Sequence, residues 1–419
     1  MIRIILLILI FNFAFLAQSF WQKTSFPSGS QVNSVYSLLS LEDNSVLAGT
    51  YAMGIYKTTD DGQNWSSLAL GNQWIIDLAK DKQNNLYALT IGSTYGTGLF
   101  KSTNNGESWI QVWNYEGGLN DLYIDNDDNI YIGLNFFGEK GGVYKSSNRG
   151  ESWTNIFPFQ ANAYCIIKTR NQNLLVASQD GSVAKIFRTS NEGLNWESYS
   201  FSINFTSSAF AISSSGVVFL ATYGYGIYRS TDNGQSWNLI SQTTGPDYSC
   251  LLIDGNNIYA GTRGYWVYRS TNSGDSFSLL NDGMGQDKYV LSLGASKNGY
   301  LYAGMDYYGI YRSSNKVVSA KKESDIAREF VLKQNYPNPF NPKTNVEFVL
   351  PARAFVEIKI LNIIGKEILT LINEEKEKGV HNLSIDMSDC SSGVYCLSLK
   401  AFDENGRIFS SVRKMILLK

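Results

Sequence analysis

The stretch GIYRSTDNGQSW, Gly226 to Trp237, packs hydroxyls, a carboxylate, a turn glycine and an indole into one short run. Such a set suits either ligand binding or the capping of a tight turn. Five further copies begin near Gly54, Gly98, Gly142, Lys185 and Trp266. Across the six, Asn104, Asn148, Asn191 and Asn272 stand where Asp60 and Asp232 carry acids. Acid–base chemistry would need the acid in each copy. Asn and Asp share instead the ability to bond their own backbone, and glycine accepts the positive φ of such a turn. The set therefore reads as structural: Asp60, Gly62, Trp65, Gly106, Trp109, Gly150, Trp153, Gly193, Trp196, Asp232, Gly234, Trp237 and Gly274, with Phe277 replacing the last indole.

Other chemistry is sparse. His381 is the one histidine, which removes most acid–base and zinc chemistry. DNDDNI from Asp125 opens like a calcium loop, but Ile130 replaces its glycine and Phe136 its bidentate glutamate. No metal and no cofactor is expected. The acids on candidate loops are Glu116, Glu139, Asp180, Asp247, Asp287 and Asp306, of which Asp180 and Asp306 are the best placed for catalysis.

The elements that position these residues follow from length and pattern. At 419 residues, 43% hydrophobic and 17% charged, the chain can fill more than one core. A net charge of −2 argues against nucleic acid as a partner. Residues 1–19 have a basic start, an apolar run and a small-residue cleavage site, as in a secretory signal. Cys165 and Cys250 sit in apolar runs and read as buried free thiols; Cys390 and Cys396 stay open.

The turn glycines recur every 40 to 44 residues, and each period holds four apolar, β-branched or aromatic runs between Asn, Asp and Gly clusters. That period with strand-like units predicts a propeller. A seventh unit, from Gly309, loses its fourth strand, while Phe20–Pro27 resembles the missing strand. The expected fold is all-β: a seven-bladed propeller over 20–316 closed by residues 20–27, a linker over 317–329, and a small Ig-like β-sandwich over 330–419.

The boxes resemble the Asp-box (BNR) repeat of sialidases, xyloglucanases and sortilin-like propellers. In those families the box lies away from the substrate face. A sialidase would also need three arginines for its substrate carboxylate. Arg188, Arg229, Arg269 and Arg312 occupy the box lead-in and Arg149 a box turn, which leaves Arg170 and Arg263. The phrases NYPNPFNP, LNIIGKEI, SSGVYCLSL and KMILLK closely resemble the type A sorting domain of the type IX secretion system. That resemblance implies a Bacteroidetes-type bacterium, and a passenger carried to the outer-membrane surface or released after the domain is removed. Residues 330–419 would then meet the secretion machinery.

The face opposite the boxes collects aromatic loops: Tyr51, Tyr95, Phe136, Phe137, Tyr223, Tyr225, Tyr265, Trp266, Tyr307 and Tyr308, with Trp74, Tyr115 and Tyr248 from blade-to-blade loops. Exposed rings suit sugars or extended peptides. Tyr51, Trp74, Tyr223, Tyr225, Arg263, Trp266 and Tyr307 are the expected ligand-binding residues. The expected function is non-catalytic binding of a glycan or surface protein by a monomer. The alternative is a polysaccharide hydrolase using two loop carboxylates.

Overall fold

The computed structural model describes residues 18–418 except 31–32, 93–95, 116, 138–139, 181–182, 203–205, 241–242, 318–329, 336, 364, 378 and 404–407. The segment expected to be a secretory signal, residues 1–19, therefore lies outside the described residues apart from Gln18 and Ser19. The chain divides into two compact units, Met1–Ala320 and Lys321–Lys419.

Among the described residues, the first unit holds seven four-stranded antiparallel sheets of the kind that form propeller blades. The first blade runs Val35–Ser40, Val46–Thr50, Ile55–Thr58 and Ser66–Ala69 from the centre outward. In the last, Trp21–Lys23 supplies the outer strand beside Ile310–Ser313, with Trp21 opposite Ser313 and Lys23 opposite Tyr311. The Trp21 indole is 1% exposed and donates to the Leu280 carbonyl. Segments near both ends of the unit thus share one sheet, and the third strand of that sheet gains a partner on its outer side.

Second strands such as VLAGT, VFLAT and LYAGM are buried at every position, because stacked blades cover both of their faces. That explains their continuous apolar runs. Their glycines answer a close approach: a Cβ on Gly304 would lie 2.7 Å from the Val35 side chain in the next blade, and one on Gly49 2.6 Å from Ile75.

The repeated boxes form turns at the other end of the third strands. Asp232 accepts from Ser230 Oγ at 2.8 Å and from the Ser236 amide at 2.9 Å. Asn272 accepts the equivalent bonds from Ser270 Oγ and the Ser276 amide at 2.9 and 3.0 Å. One side-chain oxygen does the same work in both residue types. Asn233 and Gly234 follow at φ 59° and 88°, and the Trp237 indole donates back to the Gly234 carbonyl.

The second unit is a β-sandwich. One sheet holds Val331–Leu332, Lys343–Leu350 and Gly379–Asp386; the other holds Glu367–Lys376, Ala354–Asn362, Gly393–Asp403 and Ile408–Leu417. Phe348, Val356, Ile358, Ile360, Leu397 and Met415 fill its core. His381 stacks on Phe348 there, 5.0 Å between ring centres. All four cysteines are free thiols; Cys165 is buried, and Cys250 partly so.

Candidate functional site

Strand direction alternates within each blade, so the box turns lie at one end of the ring. The inner strand begins, and the second strand ends, at the other. At that far end every inner strand carries a β-bulge, between Val35 and Ser37 in the first blade and between Val290 and Ser292 in the last. A bulge inserts one extra residue and re-aims the side chains around it. Three tiers of side chains around the central channel result.

The lowest tier follows the bulges and ties blade to blade. Ser292 Oγ donates to the Val35 carbonyl, the Leu78 amide donates to Ser37 Oγ, and the Ile166 amide donates to Asp121 at 2.7 Å. Asp77 accepts from Ser37 Oγ at 2.8 Å and from the Leu122 amide. Asp77 and Asp121 thus hang two carboxyls in a narrow channel. Desolvation raises both, Asp77 to about 6 and Asp121 to about 8, the charge of Asp77 adding to the second. Neither belongs to the loop acids expected from sequence. They sit inside strands IIDLAK and LNDLYI, where alternation suggests an ordinary outward position.

The middle tier is the bulged residue itself. Tyr36, Asn120 and Tyr164 each reach a residue at the upper end of the second strand of their own blade. Asn120 donates to Asn135 Oδ1 at 2.9 Å, Tyr164 donates to Gln179 at 2.8 Å, and the Tyr36 ring lies 6.3 Å from that of Tyr51. The upper tier is that strand-end position, one per blade: Tyr51, Ile91, Asn135, Gln179, Tyr223, Arg263 and Asp306. Tyr36, Asn120, Asp77, Asp121, Tyr223 and Arg263 border a cavity of about 380 Å³ in the channel.

Two sectors stand out at this mouth. In one, Tyr36, Tyr51 and Trp74 pack together, Trp74 lying 5.3 Å from each tyrosine. In the other, the Arg263 guanidinium rests over the Tyr223 ring at 5.5 Å. Asp306 accepts from Ser34 Oγ between them. Burial, then the Asp306 charge, raises the Tyr36 phenol above its ordinary value, while Arg263 pulls it down, so the sectors share one field.

The expected residues therefore divide. Tyr51, Trp74, Tyr223 and Arg263 meet at the mouth with Asp306. Tyr225 and Tyr307 are 43% and 42% exposed on the loops beyond it. Trp266 is half-buried, its indole donating to the Gly285 carbonyl. Tyr248 is fully buried and is core, not a loop aromatic. Tyr115 stacks on Trp113, ring centres 5.0 Å apart, as packing between sheets. Asp287 is occupied by Tyr311 and Lys23. Asp125 is occupied by Asn129, Tyr131 and Lys168. Tyr95, Glu116 and Glu139 lie outside the described residues, as do the side chains of Phe136, Phe137 and Asp180.

Comparison with known proteins bears on both units. Residues 334–416 match the secretion system C-terminal sorting domain. The chain carries a type IX sorting domain. This tail marks the protein for export by the type IX system to the cell surface or beyond, and its partner in that step is the secretion machinery. No curated protein has a matching sequence. Solved structures similar to the chain are β-propellers. PorZ of Porphyromonas gingivalis, a surface component of the type IX secretion system, aligns with TM-score 0.50 and 16% identity over 92% of this chain and 60% of its own. The chain thus spans three-fifths of that protein's length. YCF48 bound to D1 peptide aligns at TM-score 0.56 and 12% identity, over 72% of this chain and 98% of that one. The GH74 xyloglucanase of Xanthomonas campestris aligns at 0.57 and 15%, over 78% and 59%. At these identities the likeness concerns the fold alone.

Proposed function

We propose that the exported propeller is a non-catalytic binding protein, a monomer whose ligand sits on the channel mouth. One observation carries this reading. The repeats are nearly alike at their boxes and second strands, yet at the strand-end position they diverge into Tyr51, Tyr223, Arg263 and Asp306. A repeat scaffold under packing demands alone has no reason to place two rings, a cation and an acid at equivalent positions around one opening. Those side chains provide apolar faces with polar tips, suited to gripping an extended ligand. Among proteins of similar fold, one is seen with a bound peptide and another is a xyloglucanase, so both ligand classes are compatible with this architecture.

The test is retention of the full-length protein on an array of glycans and cell-surface extracts, repeated with Tyr51→Ala/Trp74→Ala. Loss of the large aromatic area should weaken retention roughly 10-fold or more. Undiminished retention would overturn the reading. So would release of reducing sugar that disappears in Asp306→Asn or Asp180→Asn.

A further inference from the structure

We propose that the ligand at the mouth is an acidic glycan, a sugar chain bearing uronic-acid carboxylates, and that Arg263 is the residue that grips the carboxylate. This rests on the mouth being the binding site. The first support is the state of Arg263 itself. A guanidinium carries five N–H donors in a planar fork matched to a carboxylate. Arg188, Arg229, Arg269 and Arg312 donate respectively to Glu197, Asp275, Asn257 and the Asp61 carbonyl, and Arg149 pairs with Asp81 and Asp128. Among the described residues, the Arg263 side chain makes no hydrogen bond and no ion pair. It is nevertheless held in place, with Tyr223 under its face and the channel cavity in front of it. A cation so positioned, unused by the fold and presented to a cavity, is a preformed anion subsite.

Asp306 does not neutralise it. That carboxylate is turned to Ser34 Oγ, and no ion pair joins it to Arg263. The rest of the opening decides what carries the anion. The packed Tyr36, Tyr51 and Trp74 rings form an aromatic wall on the facing sector, the surface a sugar ring stacks against. The cavity beside the guanidinium is bordered by Asn120, Ser208, Ser249 and Ser292, by apolar side chains such as Ile76 and Leu251, and lower in the channel by Asp77 and Asp121. The hydroxyl and amide oxygens there can accept from sugar hydroxyls. Carboxylate, sugar ring and hydroxyls together specify a uronic-acid unit.

The experiment measures binding of the full-length protein, at about 150 mM salt to suppress unspecific attraction, to oligomers of galacturonate, mannuronate, guluronate and glucuronate. Each is compared with its methyl ester, which keeps the sugar and removes the charge. Poly-L-glutamate serves as a carboxylate polymer without sugar. At least one uronate oligomer should bind, and its ester roughly 10- to 100-fold more weakly, the range of a charged hydrogen-bonded contact. Arg263→Gln should abolish that difference, and Arg263→Lys should restore part of it. Tyr51→Ala/Trp74→Ala should weaken acid and ester alike. The inference fails if no uronate binds, if ester and acid bind equally, if Arg263→Gln changes nothing, or if poly-L-glutamate binds as tightly through Arg263. Neutral sugars that bind and depend on Trp74 but not on Arg263 would refute the acidic ligand while leaving the mouth as the binding site.

Discussion

Asp121 offers a test of the channel that needs no ligand. Its carboxyl is raised from 3.8 to about 8 in the folded protein, burial being the larger cause and the Asp77 charge the second. The sign follows directly. Below 3.8 the group is protonated in both folded and unfolded chains and contributes nothing. As pH rises, the unfolded chain gains by ionising while the folded one holds its proton. The cost to stability therefore grows from about pH 4 to about pH 8 and then levels. At pH 7 the interval is about three units, a ceiling of about 4 kcal/mol at 1.36 kcal/mol per unit. Water in the channel makes the real figure smaller.

Asp121→Asn keeps an oxygen for the Ile166 amide, now 2.7 Å from the carboxyl, and cannot ionise. It copies the protonated acid. The propeller transition of the variant, followed by calorimetry or circular dichroism, should match the parent at pH 4. At pH 7 it should lie higher by up to about 8 °C, taking about 2 °C per kcal/mol for a domain of this size. Asp77→Asn should show the same pattern with a smaller gain, since Asp77 is raised only to about 6. Equal melting at every pH would mean that Asp121 is ionised and well solvated. A variant less stable at neutral pH would mean that the charge itself holds the neighbouring blade. Either result refutes the reasoning.

Three other expectations follow from the same geometry. Gly304→Ala pushes a Cβ to 2.7 Å from Val35 at the junction of the last and first blades, so it should destabilise the propeller by about 1–3 kcal/mol, measured as a lowered denaturation midpoint. Asp232→Asn should be neutral within about 0.5 kcal/mol because one oxygen makes the box bonds, while Asp232→Ala should cost about 1–2 kcal/mol by leaving the Ser236 amide without that acceptor. Removing residues 330–419 should leave the propeller folded but absent from the cell surface and medium, as fractionation and blotting would show.

The fold was legible because its cause is local and repeated. Asp232, Gly234 and Trp237 specify a turn by their own short-range bonds, and six copies at a 40- to 44-residue period leave little besides a ring of small sheets. The sorting tail was legible as a run of phrases. The candidate site was legible only in its loops. Tyr51, Trp74, Tyr223 and Arg263 follow from asking which face lies opposite the boxes, but Tyr36, Asp77, Asn120 and Asp121 do not. They reach the channel because a bulge shifts the inner strand by one residue, and a one-residue shift exchanges the faces that alternation would assign.

That bulge also explains how a stable ring comes to carry a variable opening. Below it, side chains such as Ser37, Asp121 and Ser292 bond the main chain of the neighbouring blade and fix the radius of the channel. Above it, the bulged residue and the strand-end residue face each other within one blade, as Tyr36 faces Tyr51 and Asn120 faces Asn135. The ladder does not depend on which side chains those two positions carry, because its bonds are main-chain and the stapling lies beneath them. A tyrosine, a glutamine or an arginine can therefore stand at the rim of any blade without disturbing closure. On the proposed reading, ligand choice in this propeller is written in pairs of residues per blade, on a ring whose stability is secured one tier lower.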